Sequence, residues 1–528
     1  MRPQDHFSPA RRRLSGCMAA CFVVLALLVA SPGRAQEQAA PRPLLWGICY
    51  SPFRTNQNPD CGVYPTKEEI REDLQFMKRS GVSQRIRTYS SAGALEVIPG
   101  LCKDLGLECW PGAWLGRYPG PNAKEVESLI KIGKMRLSNC PVLIVGNEVL
   151  LRKDMTEGEL LRVIQRVKQQ TGLPVAYADV AGIWPRHPKV AKSVDVCLVH
   201  LYPFWDGQPI DNALDALAAT WDLLKKTYPG KRLVVGETGW PSGGEARNRA
   251  VPSPASQARY LAEFLRAAQA RGIDYFYFDM FDEAWKSKQE GERGAHWGVF
   301  TADGKLKESL IPLMPNSARG GMRRGPGKVV GPIPLRLPAF VYLDGGSDRN
   351  RFTPTNYMGA TEALSIDEYW RQAPHSGNSC IRVRFVPPDQ ASWAGAYWVG
   401  PYFNHWGDYP GYTLKGAKRL VFWARGARGG ESVQFKVGGM DSPGKPFRDS
   451  FGPLPANEPW VRLSRQWQPF TIDLAGADTS SLLGGFCFAT NAPANPKGCE
   501  FFLDDIIIVA DGVPPLPPAN IARPPARR

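Results

Sequence analysis

From Leu45 to about Met314, short apolar runs alternate with longer segments whose apolar residues recur at helical spacing. The apolar runs predict eight strands, near Leu45 to Cys49, Gln84 to Thr88, Glu108 to Ala113, Val142 to Gly146, Val175 to Asp179, Val194 to His200, Leu233 to Gly236 and Asp274 to Met280. Helices fit between most of them. The first opens with Thr66 and Glu69 at capping-box spacing, and Gly81 precedes the next strand. Such strand and helix alternation implies a parallel sheet wrapped by helices, and eight units in about 270 residues suit a (β/α)8 TIM barrel. In that architecture the C-terminal strand ends share one mouth, where functional side chains gather.

Beyond Pro315 the periodicity gives way to Gly, Pro and Arg, which predicts a linker over 316–338. From Ala339 the runs become short and alternating: Cys380 to Phe385, Arg419 to Ala424, Ser432 to Val437, Trp467 to Ile472, Gly485 to Ala489 and Phe501 to Val509. They predict an all-β, jelly-roll-like sandwich over 339–511, with a helical pattern only near Ile366 to Gln372. The remaining divisions are a signal peptide at 1–35, the barrel at 44–315 and a disordered Pro/Arg tail at 512–528.

The signal peptide is read from the basic run Arg11 to Arg13, the apolar stretch Cys17 to Ala30 and the small residues Gly33 and Ala35. It implies export to the periplasm or the medium, with no membrane span once it is removed. A net charge of +15 would suggest nucleic acid as a partner. Residues 1–43, 316–338 and 511–528, however, hold fourteen of the basic residues and three acidic ones, which accounts for 11 of the surplus charges. The domains are therefore nearly neutral, which suits an uncharged substrate and argues against nucleic acid. Nine cysteines remain after the leader, an odd number; Cys487 and Cys499 are the candidate disulfide pair, with buried thiols the alternative. The six histidines lack metal-ligand spacing, so neither a metal nor an organic cofactor is expected.

Candidate chemistry sits at the ends of the fourth and seventh predicted strands, in Val145-Gly146-Asn147-Glu148 and Val235-Gly236-Glu237-Thr238-Gly239-Trp240. One such glutamate alone reads as a structural ion-pair partner. Two facing one mouth can act as the acid/base and the nucleophile that cleavage of a glycosidic bond with retention requires. Aromatic residues follow the same strand ends: Tyr50, Tyr89, Trp114, Tyr202, Phe204, Trp205, Trp240, Phe281 and Trp285. They can stack on the C–H faces of sugar rings or fill the core.

These motifs carry a resemblance. Ile86-Arg87-Thr88-Tyr89, Val145-Gly146-Asn147-Glu148, Gly236-Glu237-Thr238-Gly239-Trp240-Pro241-Ser242, Phe281-Asp282-Glu283-Ala284-Trp285-Lys286 and His296-Trp297-Gly298-Val299-Phe300 together resemble glycoside hydrolase family 17, the β-1,3-glucanase type. The resemblance covers Gly47 to Phe300. It implies Glu148 as acid/base, Glu237 as nucleophile and Asn147 as partner of the sugar 2-hydroxyl. Arg87 or Lys286 could supply the positive potential that keeps Glu237 ionised, and Glu283 with Lys286 matches a cleft pair of the family. The family has a further glutamate before its His/Phe-Gly segment; here Glu292 lies further upstream and Gly294 takes the nearer position. The sandwich segments Trp393-Ala394-Gly395-Ala396-Tyr397-Trp398 and Asn404-His405-Trp406-Gly407 resemble carbohydrate-binding modules.

The implied activity is a retaining hydrolase of β-linked glucan, foremost β-1,3-glucan. The alternatives are a transglycosylase with the same chemistry and a different acceptor, or a non-catalytic glycan-binding envelope protein.

Overall fold

The structure, a computed structural model, describes residues 44–511 except 118, 329, 330, 348, 402, 403 and 457. The expected leader and tail lie outside the described residues.

The barrel strands are β1 (Ile48–Cys49), β2 (Arg85–Arg87), β3 (Glu108–Trp110), β4 (Gly112–Ala113), β5 (Leu143–Asn147), β6 (Val175–Val180), β7 (Val196–His200), β8 (Arg232–Thr238) and β9 (Tyr275–Tyr277). Their order, β3-β2-β1-β9-β8-β7-β6-β5-β4, runs round a nearly closed parallel sheet whose two end strands are separated in sequence by Pro111 alone. Proline has no N–H for the ladder, so it divides the expected third strand into two. Its carbonyl still accepts from Ile144 N at 2.9 Å, so β3 and β4 act as one stave and the eight expected strands are recovered.

The helices are α1 (Lys67–Ser80), α2 (Ile98–Leu105), α3 (Pro119–Lys134), α4 (Glu157–Thr171), α5 (Pro188–Ser193), α6 (Ile210–Thr227), α7 (Pro254–Arg271) and α8 (Ser287–Glu290). Helix α1 begins at the predicted reciprocal Thr66/Glu69 capping box and stops at Gly81 with φ +69°. Such a cap is worth about 1 kcal/mol. Ile70, Leu74 and Met77, at helical spacing, are buried against the strands.

The second domain comprises β10 (Ile333–Pro334), β11 (Ala339–Tyr342), β12 (Thr353–Gly359), β13 (Leu364–Trp370), β14 (Cys380–Phe385), β15 (Trp393–Val399), β16 (Tyr412–Thr413), β17 (Arg419–Gly426), β18 (Ser432–Val437), β19 (Leu454–Pro455), β20 (Val461–Arg462), β21 (Gln468–Asp473), β22 (Gly484–Asn491) and β23 (Cys499–Val509). Two antiparallel sheets, ordered β13-β14-β23-β17-β21 and β12-β15-β22-β18-β19, enclose a core that includes Trp398, Phe422, Phe435, Phe486 and Phe501. The helix expected near Ile366 to Gln372 is instead the strand β13. Its burial alternates residue by residue, as an edge strand's does, and Leu364 pairs with Phe385 across the ladder. The candidate disulfide is also absent: Cys487 Sγ contacts the Phe488 carbonyl at 3.6 Å, Cys499 Sγ contacts Thr490 Oγ1 at 3.6 Å, and all nine described cysteines are buried free thiols.

The stretch 316–338 is bonded to the barrel. Arg324 is fully buried, donates through Nε and Nη2 to Asp73 and through Nη2 to the Pro52 carbonyl, and lies 4.2 Å above the Phe281 ring. Lys328 N donates to Glu69 Oε1 at 2.9 Å, and β10 pairs with β16 of the sandwich. The sandwich also meets the barrel through a Lys288–Asp408 ion pair and an apolar cluster of Cys61, Val63 and Tyr409.

Candidate active site

Both glutamates sit where backbone irregularities turn them toward the mouth. The pairing of β5 with β6 shifts between Ile144 and Asn147; Gly146 then takes φ +87° and Glu148 φ +51°. A left-handed conformation costs a non-glycine residue about 1–3 kcal/mol, a strain that functional sites accept. On β8, Gly236 leaves room for a neighbour: a Cβ there would stand 2.9 Å from His200 Cδ2.

The two carboxylates and the His200 ring each offer an atom within 4.8 Å of the others. Tyr202 donates from its hydroxyl to Glu237 Oε2 at 2.9 Å. Arg87 Nη1 lies 3.1 Å from Glu237 Oε1, yet directs its hydrogens to the Gly236 carbonyl at 2.7 Å and His200 Nε2 at 3.1 Å. Glu237 Oε1 is thus buried, electrostatically paired and without a hydrogen bond. Arg87 Nη2 donates to Asn147 Oδ1. Burial works against the Arg87 charge, but Glu237 and its other neighbours outweigh it and hold the guanidinium protonated.

Arginine can only donate, so the Arg87 bond makes His200 Nε2 an acceptor. The imidazole is therefore the neutral Nδ1–H tautomer, and Nδ1 donates to Glu148 Oε1 at 3.0 Å. Burial raises the Glu148 carboxyl, but the His200 hydrogen bond and nearby charges, among them Arg152 and Arg87, bring it below its ordinary value.

A second cluster adjoins the first. Lys286 Nζ lies 2.6 Å from Glu283 Oε2 and 3.9 Å from Asp279, while Ser51 and Trp285 donate to Glu283 Oε1. All three ionic groups are buried, and Lys286 sits 4.2 Å above the Phe278 ring. The third carboxyl of the mouth comes from Glu290, at the end of α8. It lines a cavity of about 480 Å³ together with Glu148, Glu237, His200, Tyr202 and Trp205. Burial first, and then the negative charges of Glu283, Glu237 and Glu148, push its carboxyl up to about 7 against the pull of Lys286. Glu292, two residues on, is exposed.

The aromatic residues divide. Tyr50, Phe204, Trp240 and Phe281 are buried in the barrel: Tyr50 donates to Asp73, Trp240 packs between Phe204 and Tyr260, and Phe281 packs on Phe300 beneath Arg324. Their contacts in the structure are packing contacts behind the mouth. Tyr202, Trp205, Trp285 and Tyr89 border the mouth, with Arg87 4.9 Å above the Tyr89 ring, and Trp114 is 42% exposed beneath Arg152. Sequence reasoning missed His200, Glu290 and Asp279. His200 ends a predicted strand immediately before Leu201-Tyr202-Pro203, which was the available signal.

Glu148, His200 and Glu237 are also the ligand types a metal would take. The Arg87 guanidinium stands among them, and its fixed charge opposes a cation at that position.

Residues 47–298 match the family described as the BtgE/BtgC glycoside hydrolase domain. Over 272 residues the chain is 29% identical to a glucan 1,3-beta-glucosidase of Arthroderma benhamiae, a match covering 48% of this chain and 86% of that protein. Over 301 residues it is 27% identical to a probable glucan endo-1,3-beta-glucosidase of Aspergillus clavatus, covering 50% of this chain and 42% of that protein. Among solved structures, the glycoside hydrolase family 17 beta-1,3-glucanosyltransferase of Rhizomucor miehei is 30% identical, with 50% of this chain and 96% of that chain covered and a TM-score of 0.45.

Proposed function

We propose, from the premise that the barrel of this chain belongs to glycoside hydrolase family 17, that the protein is a retaining hydrolase of β-1,3-linked glucan. The observation that carries this reading is the approach of carboxylate oxygens of Glu148 and Glu237 to within 4.8 Å. Retaining enzymes hold their carboxyls about 5–5.5 Å apart, whereas inverting ones leave about 6.5–9.5 Å for a water.

In the first step the Glu237 carboxylate attacks the anomeric carbon while Glu148 gives its proton to the glycosidic oxygen. The C–O bond breaks, the leaving chain departs as an alcohol, and a glucosyl ester remains on Glu237. In the second step water adds to the same carbon, Glu148 takes its proton and the ester bond breaks. Arg87 and Tyr202 hold Glu237 in place, and Asn147, whose oxygen is taken by Arg87, turns its amide to a sugar hydroxyl. Trp114, Trp205 and Trp285 serve as platforms for neighbouring sugar rings. Glu283 and Lys286 shape the electrostatics of the cleft. The sandwich binds the same polymer, and the leader-like N-terminus supports export.

Product masses from β-1,3-gluco-oligosaccharides test the reading. Products shorter than the input are expected. Products longer than the input would make the enzyme a glucanosyltransferase, and turnover that survives Glu237→Ala would remove the catalytic assignment.

A further inference from the structure

A cavity of about 230 Å³ opens where the sandwich meets the barrel. Its barrel wall includes Asp60, in the loop after β1, and Pro121, in the first turn of α3 after β4. Both follow C-terminal strand ends, so they belong to the rim of the mouth that holds the glutamates. The sandwich wall includes Phe352 and Thr353 at the start of β12 and Glu368 and Tyr369 on β13. These are the edge strands of the two sheets, so the crevice lies where the two layers part.

The lining chemistry is selective. None of the described residues lining it is Lys or Arg, which disfavours an anionic ligand. Burial raises both carboxyls, Asp60 and Glu368, the latter to about 7, and Trp398 Nε1 donates to Glu368. A carboxyl held near neutrality, as that of Glu368 is, suits a hydroxyl group better than a metal ion. Thr353 Oγ1 is buried without a hydrogen-bond partner. The Tyr369 side chain beside it is 44% exposed. Hydrogen-bonding groups around a flat ring, without a counter-charge, fit a neutral sugar. The volume is below the roughly 300 Å³ at which drug-sized pockets begin, so a single sugar ring is the scale it takes.

Three consecutive residues of α8 tie this crevice to the catalytic cavity. Lys288 pairs with Asp408 of the sandwich, Gln289 donates to Asp60 in the crevice wall, and Glu290 lines the cavity of Glu148 and Glu237. Aromatic rings continue the link: Tyr64, in the field of Asp60, packs 5.5 Å from Phe53, which packs 6.1 Å from Trp285.

We propose that this crevice is a distal subsite for one sugar of a β-glucan chain whose reacting linkage lies at Glu148 and Glu237, so that barrel and sandwich together select long chains. The inference rests on the β-glucan reading above. Its test compares kcat/KM for the parent, Tyr369→Ala and Thr353→Val over β-1,3-gluco-oligosaccharides from the trisaccharide upward. The expected result is that the ratio of long-chain to short-chain kcat/KM falls about five- to tenfold in each variant. Val is nearly isosteric with Thr and removes only the unpaired hydroxyl, so a purely structural Thr353 would leave that ratio unmoved. A ratio equal to the parent's in both variants overturns the subsite. Calorimetric binding of the longest oligosaccharide to Glu237→Gln, with and without Tyr369→Ala, separates the two readings. Affinity lost with Tyr369 supports the subsite even if the parent turns over no glucan, an outcome that would count against the catalytic reading alone; affinity unchanged overturns the subsite.

Discussion

Arg87 links the surroundings of the two glutamates at the scale of single atoms. One guanidinium neutralises Glu237, orients Asn147 and fixes the tautomer with which His200 holds Glu148. Glu148→Gln should lower kcat/KM on oligosaccharides by roughly 10²–10⁴-fold, the usual worth of acid–base catalysis. Aryl glucosides with good leaving groups, which need no proton, should lose far less in the first step, as burst kinetics would report. The His200 hydrogen bond stabilises the ionised form of Glu148 and so lowers its pKa. His200→Phe removes that bond, keeps Glu148 protonated to higher pH, and should move the alkaline limb of the kcat/KM–pH profile upward; a limb that stays in place or moves down would contradict the assignment. The glutamates were legible in the sequence because each ends a strand in a recognisable motif. His200 and Glu290 were not, because their roles depend on contacts across the barrel: His200 meets Arg87 over a separation of 113 residues. Glu290 faces the cavity because α8 turns there, which spacing from Glu283 did not reveal.

Among the elements, the interior strands were the most legible, since barrel strands buried on both faces are continuous apolar runs. Edge strands were not: β12, Thr353–Gly359, has little apolar periodicity, and β13 imitated a helix. The Gly/Pro/Arg stretch held a further surprise in Arg324, whose charge is buried against Asp73 between Phe53 and Phe281. Composition suggested a solvated linker; packing uses that arginine as a tether to α1. Arg324→Leu would leave Asp73 with Arg54 as its remaining ionic partner. Breaking such a buried pair costs about 3–5 kcal/mol, visible as a lower Tm by calorimetry. A Tm within a degree of the parent would show that the tether contributes nothing to stability.

Over the whole molecule, the sandwich meets the barrel on the side of its mouth. Their Lys288–Asp408 contact is partly solvated, with Lys288 the more exposed partner. Lys288→Ala should therefore cost less than about 1 kcal/mol in urea unfolding, and the apolar contact around Cys61 and Tyr409 should keep the domains docked. The two-domain order and the barrel were legible in the sequence, whereas their contact was not, because Cys61, Val63 and Tyr409 are unremarkable until brought together. Under the proposed mechanism Glu237 becomes covalently bonded to the sugar while Glu148 transfers the proton. Incubation with a 2-deoxy-2-fluoro β-1,3-glucosyl donor carrying an activated leaving group, followed by peptide mass mapping, tests it most directly. A single adduct on the peptide containing Glu237 is expected. An adduct on another carboxylate such as Glu290, or steady turnover of the donor without an adduct and with an inverted product, would contradict it.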